Sequence, residues 1–322
     1  MKRGLRFLAL WAGLAAILAL PMEISAQVKT VKLALTSKEN SDNLPIFVGM
    51  KMGFFDEVGL KVEPSYFRGG GEVVRGLTTG STDLAVTVAA SATLIAIARG
   101  EPVKIVAGAV SPLVGVVWVV PYDSPIKSIR DLKGKKVGFS SPGSVTHMTL
   151  VAALQAEKLE KDVEIVRVGS PGDSWNAVKN GVVASGWHVS PAFYNLVVNK
   201  EARVLFSGGD YVKQYQQTVV AAMEETIKKD PDMIRKFLQA RAKAIKFIWD
   251  NPEKTIALWS EELKLPVDVI RLAYKDLPRT AYESGAPKME NLKGALQEVM
   301  DTGAIKTPLD LGKVLDLSLL PR

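Results

Sequence analysis

Apolar and polar positions alternate along Val31-Lys32-Leu33-Ala34-Leu35, the period-two pattern of a half-buried strand. Pro45 then opens a short helical stretch through Met52, which Gly53 closes, and Phe54 and Phe55 follow as apolar anchors. Leu60-Lys61-Val62-Glu63 alternates again, 71–79 has helical spacing, and Leu84-Ala85-Val86 has the wholly apolar character of a buried strand. A helix over 91–99 ends at Gly100, and Val103 to Val106 reads as the next strand. A second series follows, with strands over 116–120, 136–139, 164–168 and 204–206. Helices are predicted between them over 128–132, 146–159 and 174–180, the last closed by Gly181. Beyond residue 219 the pattern is almost purely helical. Asp230-Pro231 and Asn251-Pro252 each start a helix with proline in the first turn, and Thr302-Gly303 closes one. Ile234, Phe237, Leu238, Ile245, Ile248 and Trp249 share one face of the helix after Pro231.

Strands alternating with short helices predict an α/β fold with largely parallel sheets. The two series also echo each other. Gly80-Ser81-Thr82-Asp83-Leu84-Ala85 closes a helix and opens a strand, as does Gly181-Val182-Val183-Ala184-Ser185-Gly186, and small residues and a helix come after each. This repetition predicts two similar lobes.

The first 26 residues carry a different pattern. Lys2, Arg3 and Arg6 precede an uncharged apolar run over 7–20, then Pro21, and the segment ends in Ile24-Ser25-Ala26. Basic, apolar and small in that order, it predicts a secretory signal peptide over 1–26, cleaved after Ala26. The run is shorter than the roughly 20 residues that span a membrane. No cysteine follows it, so a lipoprotein anchor is excluded.

Composition narrows the chemistry. The 322 residues contain no cysteine, which excludes disulfides, thiol catalysis and cysteine-held zinc or iron–sulfur centres. Two histidines, His147 and His188, are too few for a multi-histidine metal site. No Gly-x-Ser-x-Gly elbow is present, and Gly134-Lys135-Lys136 precedes a strand instead of following one, unlike a phosphate loop. The net charge is +7, and the first 26 residues hold three cations and one anion, so +5 remains after cleavage. An exported chain with this excess has no expected nucleic-acid partner, and the excess suits a weakly anionic ligand or solubility alone.

Several segments together carry a family likeness: Gly53-Phe54-Phe55 with Gly59-Leu60-Lys61-Val62-Glu63, Gly80 to Ala85, Arg99-Gly100-Glu101-Pro102-Val103-Lys104-Ile105-Val106, and Ser124-Pro125-Ile126 leading to Asp131-Leu132-Lys133-Gly134-Lys135-Lys136-Val137. In this order they resemble the solute-binding proteins of ABC importers, in the alkanesulfonate/taurine/nitrate-type branch that is related to the thiamine-pyrimidine synthases. The resemblance implies a periplasmic binding protein type 2 fold: two α/β lobes, two crossover strands and a ligand cleft between the lobes. It places the outward crossover near Val119-Val120 and the return near Thr218 to Ala221. The second lobe is then 122–216, and 27–121 with 217–322 form the first. It further implies a periplasmic, monomeric receptor without a cofactor or enzymatic activity, which captures a small sulfonate or carboxylate and delivers it to ABC permease subunits. The enzymatic relatives use a cysteine-rich segment that this chain lacks. A neutral or pyrimidine-like solute, or a role as a ligand-sensing module for a signalling receptor, is the alternative.

Ligands of such folds lie at the carboxyl ends of strands. The loop Phe139 to His147 follows a strand and opens a helix, where free N–H groups and the helix dipole suit an anion, although spacing alone favours a Ser/Thr cap that serves only the helix. The resemblance favours ligand contacts here, at Ser140, Gly143, Ser144, Val145, Thr146 and His147. His147 is a ligand contact or a packed structural histidine. The first lobe offers Ser37, Arg68 beside three glycines, Thr87 and Ala89, and the second adds Trp187 and Ser190; Arg68 is a partner for an acid group or a solvated surface arginine, and Trp187 is a stacking wall or a packed core residue.

Overall fold

The computed structural model describes residues 28–321, so the predicted signal peptide lies outside the described residues. The first lobe begins with β1 (Lys29–Leu35), α1 (Leu44–Lys51), β2 (Leu60–Tyr66), α2 (Gly70–Thr78), β3 (Leu84–Ala89), α3 (Ala90–Ala98) and β4 (Val103–Val110). The second contains β5 (Val116–Pro121), β6 (Lys136–Phe139), α4 (Val145–Ala156), β7 (Glu164–Arg167), α5 (Pro171–Lys179), β8 (Gly186–Val189), α6 (Ala192–Val198) and β9 (Ala202–Ser207). The chain then returns through β10 (Thr218–Met223) to α7 (Glu224–Lys229), α8 (Pro231–Asp250), α9 (Pro252–Leu263), α10 (Val267–Lys275), α11 (Met289–Asp301) and α12 (Leu311–Val314).

The first sheet has the order β2-β1-β3-β10-β4. β1, β2 and β3 are parallel, while β10 runs antiparallel to both β3 and β4. In the second lobe β5 lies between β8 and β9 and is antiparallel to both, and β6 pairs in parallel with β7. The expectation of largely parallel sheets is therefore corrected at β5 and β10. Each carries the chain from one lobe into the other, so it enters its sheet against the direction set by the lobe's own strand–helix units.

The pairing also moves the outward crossover. Val119 and Val120 pair with Gly186, Val204 and Arg203, which makes them interior to the second sheet. The passage from β4 to β5 is the segment 111–115, and the return from β9 to β10 is 208–217. An apolar run buried on both faces has the same pattern whether it crosses between lobes or sits within one, which is why the register was needed.

The sequence echo has a structural counterpart. Gly80 and Gly181 both take left-handed conformations, φ 72° and 69°, just beyond α2 and α5. The backbone N–H of Asp83 then donates to Lys32 O and that of Ala184 to Lys136 O, each at 2.8 Å. Equivalent turns thus dock equivalent strands in the two lobes.

The C-terminal helices pack on the first lobe. Ile234, Phe237, Leu238, Ile245 and Ile248 of α8 are buried, and Phe237 stacks on Phe55 at 5.4 Å. Arg241, from the same helix, is buried and donates to the carbonyls of Gly108, Ala109 and Glu283. Glu283 in turn accepts from Ser111 at 2.8 Å and from Gln216 at 2.6 Å. Both crossovers are thereby anchored to one buried polar cluster.

Candidate functional site

Between the lobes lies a cavity of about 40 Å³, lined at the carboxyl ends of strands from both sides. From the first lobe come Thr36 and Ser37 after β1, Asn40 and Asp42, Gly69 and Gly70 after β2, and Ala89 at the end of β3. From the second come Ser140 after β6, Ser144 to Thr146 at the start of α4, Val116 of β5, and Trp187 and Val189 of β8. Gln217 and Thr218, where the chain re-enters the first lobe, complete the lining. Strand alternation explains the β8 contribution: Trp187 and Val189 face the cavity and His188, between them, does not.

The loop 140–146 is built around three hydroxyls. Ser140 Oγ lies 2.9 Å from Ser144 Oγ and 2.8 Å from Thr146 Oγ1, and the last two are 3.0 Å apart. The Ser140 N–H donates to Thr146 Oγ1, and the His147 N–H donates to Ser144 Oγ, which makes Ser144 the N-cap of α4. Among the described residues, the N–H groups of Val145 and Thr146 have no acceptor. The same holds for the Trp187 indole N–H, on a side chain only 5% exposed. These donors and the positive end of α4 give the second-lobe wall its affinity for an acceptor-rich or negative group.

The lobes meet tightly here. Ser91 Oγ, at the start of α3, donates to Gly143 O at 2.9 Å, and Ser41 N–H donates to Ser190 O at 2.8 Å. Arg167 also pairs with Glu72 across the lobes, and the Tyr194 hydroxyl of α6 meets Asp276 just beyond α10. A Cβ on Gly69 would lie 2.5 Å from Ser141 Oγ, and one on Gly71 would lie 2.9 Å from Pro142 O. The glycines after β2 therefore let the first-lobe backbone press against the second-lobe loop.

Of the residues singled out from sequence, Ser37, Ala89, Ser140, Ser144, Val145, Thr146 and Trp187 line the cavity. The others are placed elsewhere. Arg68 is exposed, and its N–H donates to Glu72. Thr87 is buried with φ 58°, at a bulge where β10 pairs Val219 with Val88 and Val220 with Val86, and its hydroxyl donates to Asn43. Gly143 and Ser190 hold the lobes together through their carbonyls. The His147 ring packs on Phe139 at 4.7 Å and accepts from the Gly143 N–H, and burial lowers its pKa.

The sequence reasoning missed Asp42, Gln217 and Thr218. Asp42 is 1% exposed. Both its oxygens accept from Gln217 Nε2 at 3.0 Å, and Thr218 Oγ1 is 3.4 Å away. Burial pushes its pKa up to about 7 against these neutral donors and the more distant Arg241. Ser37 was found because it follows a strand; the same rule carried five residues further reaches Asp42. Gln217 bore no such signal.

The NMT1/THI5-like family profile matches residues 40–255, which is most of the chain. The riboflavin-binding protein RibY of Chloroflexus aurantiacus is 23% identical over 72% of this chain, which spans 66% of that relative's length. The 4-amino-5-hydroxymethyl-2-methylpyrimidine phosphate synthase THI11 of Saccharomyces cerevisiae is 24% identical over 74% of this chain and 72% of its own. Among solved structures, the alkanesulfonate-binding protein SsuA from Xanthomonas axonopodis pv. citri bound to MOPS superposes with a TM-score of 0.76 at 18% identity, covering 92% of this chain and all of that one. The fold is that of the periplasmic binding proteins, and the chain belongs to the NMT1/THI5-like family.

Proposed function

We propose that this protein is the extracytoplasmic receptor of an ABC importer, and that it captures a small organic anion of sulfonate or carboxylate type by closing its lobes. The observation that carries this is the second-lobe wall, where the start of α4 presents two unbonded N–H groups beside the Trp187 indole N–H and three clustered hydroxyls. The two crossovers supply the hinge. In this reading the activity is binding, without covalent chemistry.

The protein works as a monomer in the periplasm, with permease subunits as partners and without nucleic acid. No helix among the described residues is long and apolar enough to cross a membrane. Cleavage after Ala26 leaves Gln27 as the first residue of the exported protein, which intact-mass measurement of periplasmic material checks.

A thermal-shift screen of sulfonates, carboxylates and pyrimidines tests the ligand class, because a ligand of the native state raises the melting temperature. Acids are expected to shift it; a shift from uncharged compounds alone would remove the anion reading. Ser144→Ala should weaken binding of the best acid by roughly 1 kcal/mol or more, the scale of a hydrogen bond to a charged group. An unchanged dissociation constant by calorimetry would take Ser144 out of the site.

A further inference from the structure

Two buried ionisable groups lie outside the cleft lining. Tyr215, in the return crossover, and Glu298, in the last turn of α11, are 1% and 7% exposed. Among the described residues, the Tyr215 hydroxyl and both Glu298 oxygens have no partner in hydrogen-bonding geometry. The two side chains are neighbours, and Ser91, at the start of α3, is the other polar group beside the hydroxyl.

The face of α11 that carries Glu298 runs along both crossovers. Asn291 Nδ2 donates to Ser111 Oγ in the outward crossover at 3.0 Å, and Asn291 O accepts from the Gln216 N–H in the return at 2.9 Å. Gly294 lies so close to Gln214 O that a Cβ would have no room. Glu298 follows one turn on. Thr302, just past the helix, donates to Met148 Sδ of α4, in the second lobe, at 3.4 Å. Positions 291, 294, 298 and 302 share one side of a helix, so a single stripe touches both crossovers and the opposite lobe. Ser91, beyond Tyr215, holds that lobe as well, through Gly143 O.

This setting suits a protonated carboxyl, whose O–H can turn to the Tyr215 oxygen. The groups that face Glu298 are Asp301 on its own helix, Tyr215 from the crossover, Ser91 from α3 behind the tyrosine, and Met148 from α4; none is a cation. Burial, with the like charge of Asp301 added, pushes its pKa up to about 8 against the Tyr215 hydroxyl, which pulls it down. The negative end of α11 opposes ionisation too. An ionised Glu298 needs water. On its first-lobe side α11 packs on α3, with Leu292, Ala295 and Val299 fully buried, so water entering there would cost core burial. On the α4 side the seam joins two lobes that can part.

We propose that Glu298 is a proton-dependent brace of the hinge: with its proton, α11 holds both crossovers and the lobes together, and losing the proton opens the seam between α11 and α4. The closed arrangement gains from this group in full below the ordinary carboxyl value of 4.5, and the gain is lost as pH rises through 8.

The test is energy transfer between dyes on two introduced cysteines, Ser65→Cys in the first lobe and Lys179→Cys in the second. Both positions are exposed, and the chain has no cysteine of its own to compete for label. The unliganded labelled protein is compared with its Glu298→Gln and Tyr215→Phe variants from pH 5 to 9.5. The ratio of open to closed molecules should rise about fivefold more between pH 7 and 8 in the parent than in Glu298→Gln, and level off above 8. Asp42 acts with the same sign but is common to both proteins, so it cancels in the comparison. Tyr215→Phe removes the hydroxyl that would donate to the ionised carboxyl, so its levelling point should move above pH 8. Equal rises in the parent and Glu298→Gln, or no rise in either, would overturn the inference, as would an unmoved levelling point in Tyr215→Phe. A melting temperature of Glu298→Gln at or above that of the parent at pH 9 shows that the variant folds.

Discussion

Asp42→Asn is expected to raise the melting temperature of the unliganded protein at pH 8 by roughly 5–10 °C, while the two proteins converge near pH 4.5. The Asp42 carboxyl titrates near its ordinary 3.8 in the unfolded chain and at about 7 in the native cavity. Between those values the native state holds a proton that the unfolded state has released. Stability from this group is therefore fully present below pH 3.8 and is lost as pH rises through 7. A shift of this size corresponds to about 4 kcal/mol once the carboxyl is ionised. Asparagine keeps the shape and loses the charge, but its NH2 opposes one Gln217 N–H at a cost of about 1–2 kcal/mol. The net gain is then about 2–3 kcal/mol, and each kilocalorie moves the transition of a protein this size by about 2–4 °C.

His188 titrates in the same interval with the opposite sign. Burial lowers it to about 4, so its stability is present above 6.5 and lost as pH falls through 4. It is common to both proteins and cancels in their difference. Melting curves from pH 4.5 to 8 check the expectation; a difference that does not change with pH would mean that Asp42 does not carry a buried charge.

The elements were legible where short-range rules govern them. Glycines in left-handed conformation at 80, 100 and 181 stop helices wherever the chain lies in space, and proline after Asp230 and Asn251 starts them. The direction of β5 and β10 was not legible, because strand orientation depends on where the chain came from and not on its local pattern. The site divides in the same way. Ser140, Ser144 and Thr146, which line the cavity, lie where a strand runs into a helix start, and it was the family resemblance that favoured this loop over a simple helix cap. Arg68 and His147 were placed in the cleft by proximity in sequence, yet a one-residue step turns a side chain away: Gly69 lines the cavity and Arg68 is exposed, Thr146 lines it and His147 packs on Phe139. Asp42 and Gln217 are 175 positions apart and meet only through the crossovers. Nothing short of the topology brings a carboxylate from the first loop to an amide at the hinge.

Closure itself is exposed to a single side chain. Gly69→Val is expected to leave the unliganded fold close to wild type and to weaken the best ligand about a hundredfold, equivalent to about 2.7 kcal/mol. Gly69 has φ 162° and ψ 167°, extended backbone open to any residue, so valine adds no local strain. Its Cβ would instead fall 2.5 Å from Ser141 Oγ and 2.9 Å from Ser140 Oγ, on the opposite lobe. Ser140 cannot turn aside without breaking the hydroxyl cluster that shapes the anion wall. Opening the hinge relieves the clash and keeps each lobe intact, but it draws the first-lobe lining away from the start of α4 and leaves a bound solute with one wall of the cavity. Calorimetry with the strongest ligand, together with the melting temperature of the unliganded variant, separates this from misfolding. A wild-type dissociation constant in a normally folded Gly69→Val protein would show that the ligand binds without bringing these walls together.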